Sequence, residues 1–159
     1  MNPEIFKQVL GCFATGVTVV TLQDTQKAPQ GVTVNAFASL SLDPPLILFN
    51  LAKTASFHAS LSRTDAFAIN ILSEDQPDLS QRFAFTKENT WSGVPFYDGK
   101  NHAPILEGVI AAIECRLHMQ YDGGDHTIFV GHVTHLEKKS NKKPLLYYRG
   151  KYSNVNEII

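Results

Sequence analysis

Cysteine is scarce, neither sign of charge dominates, and no apolar run is long, and each absence removes a class of function. Cys12 and Cys115 are the only cysteines. They lie far apart, form no CxxC and sit within apolar patterns, so buried free thiols are expected rather than a disulfide, a redox pair or a catalytic cysteine. With 14 basic and 15 acidic residues the net charge is −1. That leaves no electropositive face to neutralise a row of phosphates, and nucleic acid is not an expected partner. No stretch approaches the roughly 20 apolar residues that span a bilayer, and the start Met1-Asn2-Pro3-Glu4-Ile5-Phe6-Lys7 lacks the basic and apolar regions of a secretion signal. A cytoplasmic protein with no membrane association is expected.

Several motifs are also missing. No GxGxxG follows a strand and no GxxxxGK[ST] occurs, so any nucleotide must be held in another way. No serine lies in a GxSxG elbow, and hydrolysis is not supported. There are six histidines. His132 and His135 are three apart on a predicted strand and point to opposite faces. With Gly123 and Gly124 as a hairpin turn, His118 would face Phe129 and Cys115 would face His132, so no metal site is expected.

What is present fits one mainly β domain spanning 1–159, with 43% hydrophobic residues to fill a core. Ile5, Phe6, Val9, Leu10 and Phe13 fall on one side of a short opening helix, with Pro3 in its first turn. β-Branched and aliphatic runs predict strands over 17–22, 32–39, 46–51, 66–72, 109–120, 127–136 and 145–148. Short helices are predicted over 56–61 and 76–85. The Gly123-Gly124 pair marks a hairpin joining two long strands. Before it, Val109, Ala111, Ile113, Cys115, Leu117 and Met119 alternate with a wetter set that includes Glu114, Arg116 and His118. Residues 86–104, with Trp91, Gly93, Pro95, Gly99 and Pro104, form a long irregular excursion of the kind that often covers a site. Many strands and few helices indicate a barrel or sandwich.

Two segments suggest ligand chemistry. In Lys53-Thr54-Ala55-Ser56-Phe57, between a strand and a helix, a cation, hydroxyls and unpaired N–H groups can converge on a phosphate; alternatively Ser56 only caps the helix. Residues 31–41 form a strand of small and hydroxyl-bearing residues with an unusual mid-strand Asn35. Either a flat heterocycle lies on it, or Asn35 bonds a neighbouring loop.

Taken in order, four groups of residues resemble the short-chain flavin reductase family, whose members have the FMN-binding split-barrel fold. They are Phe13-Ala14-Thr15-Gly16-Val17-Thr18-Val19-Val20-Thr21; Thr33-Val34-Asn35-Ala36-Phe37-Ala38-Ser39-Leu40-Ser41-Leu42-Asp43-Pro44-Pro45-Leu46; Ala103-Pro104-Ile105-Leu106 with Cys115-Arg116 and Gly124-Asp125-His126; and Pro144-Leu145-Leu146-Tyr147-Tyr148-Arg149-Gly150-Lys151-Tyr152. The resemblance implies that Thr33, Val34, Asn35, Ala36, Ser39, Leu40 and Ser41 line the isoalloxazine ring. It implies that Asn50, Leu51, Lys53 and Ser56 follow the ribityl chain to the phosphate, and that Arg82, Phe83 and Ala84 contribute from the second helix. Asp125 and His126 would lie near the nicotinamide, and Arg149 with Tyr152 would close the site. Phe57 departs from the pattern, since many relatives have a small hydroxyl residue there.

The implied activity is NAD(P)H:flavin oxidoreduction with FMN or FAD and with NADH, NADPH remaining possible. No protein acid or base is required, because the hydride passes between the cofactors. A homodimer and a separate monooxygenase that consumes the reduced flavin are also implied. Two other readings stay open: a split-barrel flavoprotein that keeps its flavin and oxidises an organic substrate, and a non-catalytic flavin-binding protein.

Overall fold

Asn2 starts the first element. Its side-chain oxygen accepts from the Glu4 and Ile5 N–H groups, and Pro3 occupies the first helical turn, where no amide proton is needed. The computed structural model describes residues 1–85 and 90–156. Helix α1 (Pro3–Leu10) is followed by strands β1 (Thr15–Gly16), β2 (Thr18–Gln23), β3 (Pro29–Val34), β4 (Phe37–Leu42) and β5 (Pro45–Ala52). Helix α2 (His58–Leu61), strand β6 (Ala66–Ile71) and helix α3 (Pro77–Phe85) come next. The chain ends with β7 (Phe96–Asp98), β8 (Pro104–Leu106), β9 (Ala111–Gly123), β10 (His126–Lys138), β11 (Leu146–Tyr148) and β12 (Lys151–Ser153).

Seven strands form one antiparallel sheet in the order β3-β2-β6-β9-β10-β5-β4. In a flat sheet β3 and β5 would lie roughly 24 Å apart, five steps of about 4.8 Å. Yet Val34 of β3, Val20 and Leu22 of β2, Phe67 of β6, Phe129 of β10, and Phe49 and Leu51 of β5 share one buried cluster. The sheet therefore curls on itself, with its edges β3 and β4 bordering a seam. Phe49 anchors the interior, stacked on Phe129 at 5.5 Å and edge-on to Phe67 at 5.6 Å. The fold is mainly β with a few short helices, as expected.

A buried polar knot fastens the other half. Asn70 Nδ2 donates to the Val19 carbonyl and to Thr21 Oγ1, and Asn70 Oδ1 accepts from the Leu106 N–H at 2.9 Å. Thr21 in turn donates to the Pro104 carbonyl. Every buried polar atom of the Asn70 side chain is thus paired, as burial demands.

The structure corrects several expectations. The strand predicted over 32–39 is two strands, β3 and β4, broken at Asn35 and Ala36. The helix predicted from Ser56 begins only at His58, with Phe57 at the cap position and no side-chain cap bond; Phe57 is drawn into the core instead. In the β9–β10 hairpin His126 pairs with Gly123, so Gly124 and Asp125 form the turn. Gly124 has φ +78°, the positive φ that a type II′ turn needs at its first central residue only.

That shift, with bulges at Val130/Gly131 and Val133/His135, pairs Arg116 with His132 and Cys115 with Val133. The His118 and His132 rings then lie 6.5 Å apart, a proximity the predicted register excluded. Glu114, expected on the wetter face, is buried, and its carboxylate accepts the Asn101 N–H at 2.7 Å. Met119, expected inside, is exposed. Of the excursion at 86–104, residues 86–89 lie outside the described residues, while β7 and β8 pair within and just beyond the rest. Cys115 is buried and its thiol is pushed up to about 12 by burial and by the Glu114 charge. Cys12, expected buried, is exposed, because the end of α1 lies on the surface.

Candidate functional site

Helix α1 buries none of its residues. Its apolar side faces outward over the ends of β4, β5 and β10, and between them lies a cleft of about 710 Å³. Phe6 and Leu10 of α1, Phe37 and Leu48 of the sheet, and Tyr147 give it apolar walls; Asn35, Asn50, His126 and Arg149 supply polar groups. A contiguous hollow of about 790 Å³ shares Phe6, Lys7, Leu10, Ala36, Asn50 and His126 and extends to Asp125 and Gly123. A third cavity, about 520 Å³, lies on the other side of Asn35, lined by Thr33, Ser80, Gln81, Ala84, Phe85 and Tyr152 among others.

The break in the β3–β4 strand is what opens this region. Asn35 and Ala36 leave the sheet, the Ala36 carbonyl accepts the Asn50 N–H at 3.0 Å, and Asn35 Nδ2 reaches Thr15 Oγ1 at 3.3 Å. Asn50 Oδ1 is buried and has no hydrogen-bond partner among the described residues. An acceptor left in that state costs on the order of 1–3 kcal/mol. Among the described residues it is the buried side-chain acceptor of the cleft wall that is left for a donor from outside the chain.

At the hairpin tip the His126 Nδ1 lies 2.7 Å from Asp125 Oδ1. A carboxylate only accepts, so Nδ1 carries the proton and Nε2 is directed elsewhere. The His126 bond holds the Asp125 carboxyl below the usual carboxylate range. Lys53 forms an ion pair with Asp122, which likewise holds that carboxyl down. Arg149 sits in the two-residue turn between β11 and β12 with φ +49°, followed by Gly150 at +76°. Its N–H donates to the Gly11 carbonyl at 2.9 Å, tying this turn to the end of α1.

The predicted residues thus divide. Asn35, Ala36, Asn50, Asp125, His126 and Arg149 surround the two connected clefts. Thr33, Ala84 and Tyr152 line the third cavity, where Thr33 donates to the Ser80 carbonyl at 2.6 Å and the Tyr152 hydroxyl meets Ser80 Oγ at 2.8 Å. Val34, Leu51 and Phe83 are buried core residues. Arg82 donates to the Ser92 carbonyl at 2.9 Å. Ser39, Leu40 and Ser41 continue along β4 and line none of these three cavities. Lys53 and exposed Ser56 lie in the segment between β5 and α2, also outside all three.

Sequence reasoning missed Phe6, Lys7 and Leu10 as wall residues. The apolar stripe of α1 was legible, but its position over the cleft is a tertiary fact.

A curled seven-stranded antiparallel sheet with two small accessory sheets, beside a ligand-sized cleft, defines a class of small mainly β proteins. Within that class the chain belongs to the flavin reductase-like domain family, whose model matches residues 10–156. It is 38% identical over 155 residues to a flavin-dependent monooxygenase reductase subunit of Rhodococcus jostii (strain RHA1), covering 98% of this chain and 79% of that protein. It is 42% identical to the FMN reductase (NADH) of Agrobacterium fabrum, covering 98% of this chain and 87% of that protein. Among solved structures, the NADH:FAD oxidoreductase of Streptomyces globisporus in complex with NAD and FAD fragments matches with a TM-score of 0.90. That match has 35% identity and covers 95% of this chain and 92% of that one.

Proposed function

We propose that this chain is an NAD(P)H:flavin oxidoreductase that binds FMN or FAD in the clefts beside α1 and supplies reduced flavin to a separate monooxygenase. The observation that carries the reading is Asn50 Oδ1, a buried acceptor without a partner in the cleft wall. The polar edge of a flavin presents a ring N–H between two carbonyl groups, and its remaining edge is apolar, matching a wall of Asn50 and Asn35 beside Phe6, Leu10 and Leu48. Bound together, a flavin and a reduced nicotinamide supply the hydride transfer themselves.

What the protein contributes is holding and alignment. Asn50, expected along the ribityl chain, is assigned instead to the ring together with the backbone at Asn35 and Ala36, on the ground of its unpartnered acceptor; Lys53 and Ser56 take the phosphate, and His126, its ring fixed by Asp125, the nicotinamide. Thr33, Arg149 and Tyr152 add wall, while Val34, Leu51 and Phe83 in the core, Arg82 on α3, and Ser39, Leu40 and Ser41 along β4 support it from outside the cavities. One domain spans 1–159 and works in the cytoplasm. Two copies pair through the α1 face, whose Ile5, Phe6, Val9, Leu10 and Phe13 are all at least half exposed.

The test is oxidation of NADH and of NADPH in the presence of FMN, FAD and riboflavin. Turnover well above the non-enzymatic rate is expected, with NADH preferred. Background rates with every flavin would overturn the reading in favour of a carrier, and flavin retained through exhaustive dialysis without such turnover would favour an oxidase.

A further inference from the structure

The tip of the β9–β10 hairpin carries two carboxylates, and each is turned onto a basic side chain of the proposed site. Asp122 pairs with Lys53, and Asp125 with His126. The backbone fixes this meeting. β10 runs beside β5 as far as the His126 and Ala52 pair, and the Lys53 N–H donates to the Asp125 carbonyl at 2.9 Å. One ammonium is therefore held at a tip bearing two negative charges. The pair is not a structural necessity, because the Asp122 side chain is 77% exposed and that of Lys53 43% exposed. It can open to water without uncovering any core.

We infer that Asp122 competes with the flavin phosphate for Lys53 and so sets the protein's hold on phosphorylated flavin low. The inference rests on the reading that Lys53 belongs to the phosphate end of the site. A phosphate that reaches the ammonium must displace Asp122 or share the lysine with it. The competitor is ionised throughout the neutral range, since Lys53 holds the Asp122 carboxyl below its usual value. The consequence suits a protein whose reduced flavin has to leave: when the phosphate departs, the lysine regains an internal partner. Because exposed ion pairs contribute little, the effect is several-fold, not orders of magnitude.

The experiment measures dissociation constants of FMN and riboflavin, by quenching of flavin fluorescence, for the full chain and for Asp122→Asn, Lys53→Met and the double variant. Riboflavin lacks the phosphate and reports any general disturbance of the hairpin. Asp122→Asn should tighten FMN several-fold and leave riboflavin unchanged. Lys53→Met should weaken FMN selectively, and in its background Asp122→Asn should have no further effect. If Asp122→Asn leaves FMN unchanged while Lys53→Met still weakens it selectively, competition is overturned and the phosphate assignment stands. If Lys53→Met alters neither flavin, both fall. Equal tightening of FMN and riboflavin also overturns competition, since it would come from hairpin shape.

Discussion

The two ends of the curled sheet are built to opposite standards. Around β2, β6 and β8 the interior is closed: Asn70 and Thr21 have their polar atoms paired, and Val19, Leu72 and Leu106 are sealed from water. Around α1, β4 and the end of β5 the molecule is open. Apolar side chains stand in solvent, a strand breaks at Asn35, and Asn50 keeps an acceptor without a donor among the described residues. The closed end supplies rigidity, and in the proposed function the open end is the surface that flavin and a second copy complete. Natural proteins tolerate local violations of packing and polar satisfaction chiefly at functional sites.

The sharpest way to break the comparison is to damage the interior that is sealed from water. Phe49→Ala removes the ring that stacks on Phe129 and meets Phe67 edge-on. It should cost about 3–5 kcal/mol in urea unfolding, as large aromatic truncations in cores do. Asn70→Ala comes next. It leaves the Leu106 N–H and the Thr21 hydroxyl each short of a partner, and a loss of about 1–3 kcal/mol is expected in the same measurement.

The open side should respond differently. Phe6→Ser with Leu10→Ser alters only exposed side chains, so monomer stability should change by less than about 0.5 kcal/mol. Self-association, measured by sedimentation at a series of concentrations, should weaken. A large fall in stability with unchanged association would mean that α1 packs within its own chain after all.

How much of this was legible in the sequence differs between the same two regions. The strands of the closed half follow their β-branched runs, because a strand buried on both faces announces itself by composition: 66–72 was predicted and β6 spans Ala66–Ile71. The open half is less legible. A continuous run of small residues looks like one strand over 32–39, and nothing local shows that the chain leaves the sheet at Asn35 to meet Asn50 and Thr15. The hairpin is legible from its glycines. A turn at Gly123-Gly124 lies one residue too early, which moves each partner near the tip by two, because either glycine can take the positive φ and only the pairing of His126 with Gly123 decides between them. Asn50 was named from resemblance alone; its missing partner became visible only once the neighbouring strands were in place.

Asn50→Leu, close in shape to the native side chain, tests the central claim most directly, because it makes the open side better packed and less able to bind. Stability in urea and the FMN dissociation constant are measured on the same preparation. The buried unpaired acceptor disappears, so stability should hold or rise, while flavin affinity should fall several-fold with the loss of one hydrogen bond worth about 0.5–1.5 kcal/mol. Loss of stability with unchanged flavin affinity would contradict the account, since Asn50 would then serve the fold and not the ligand.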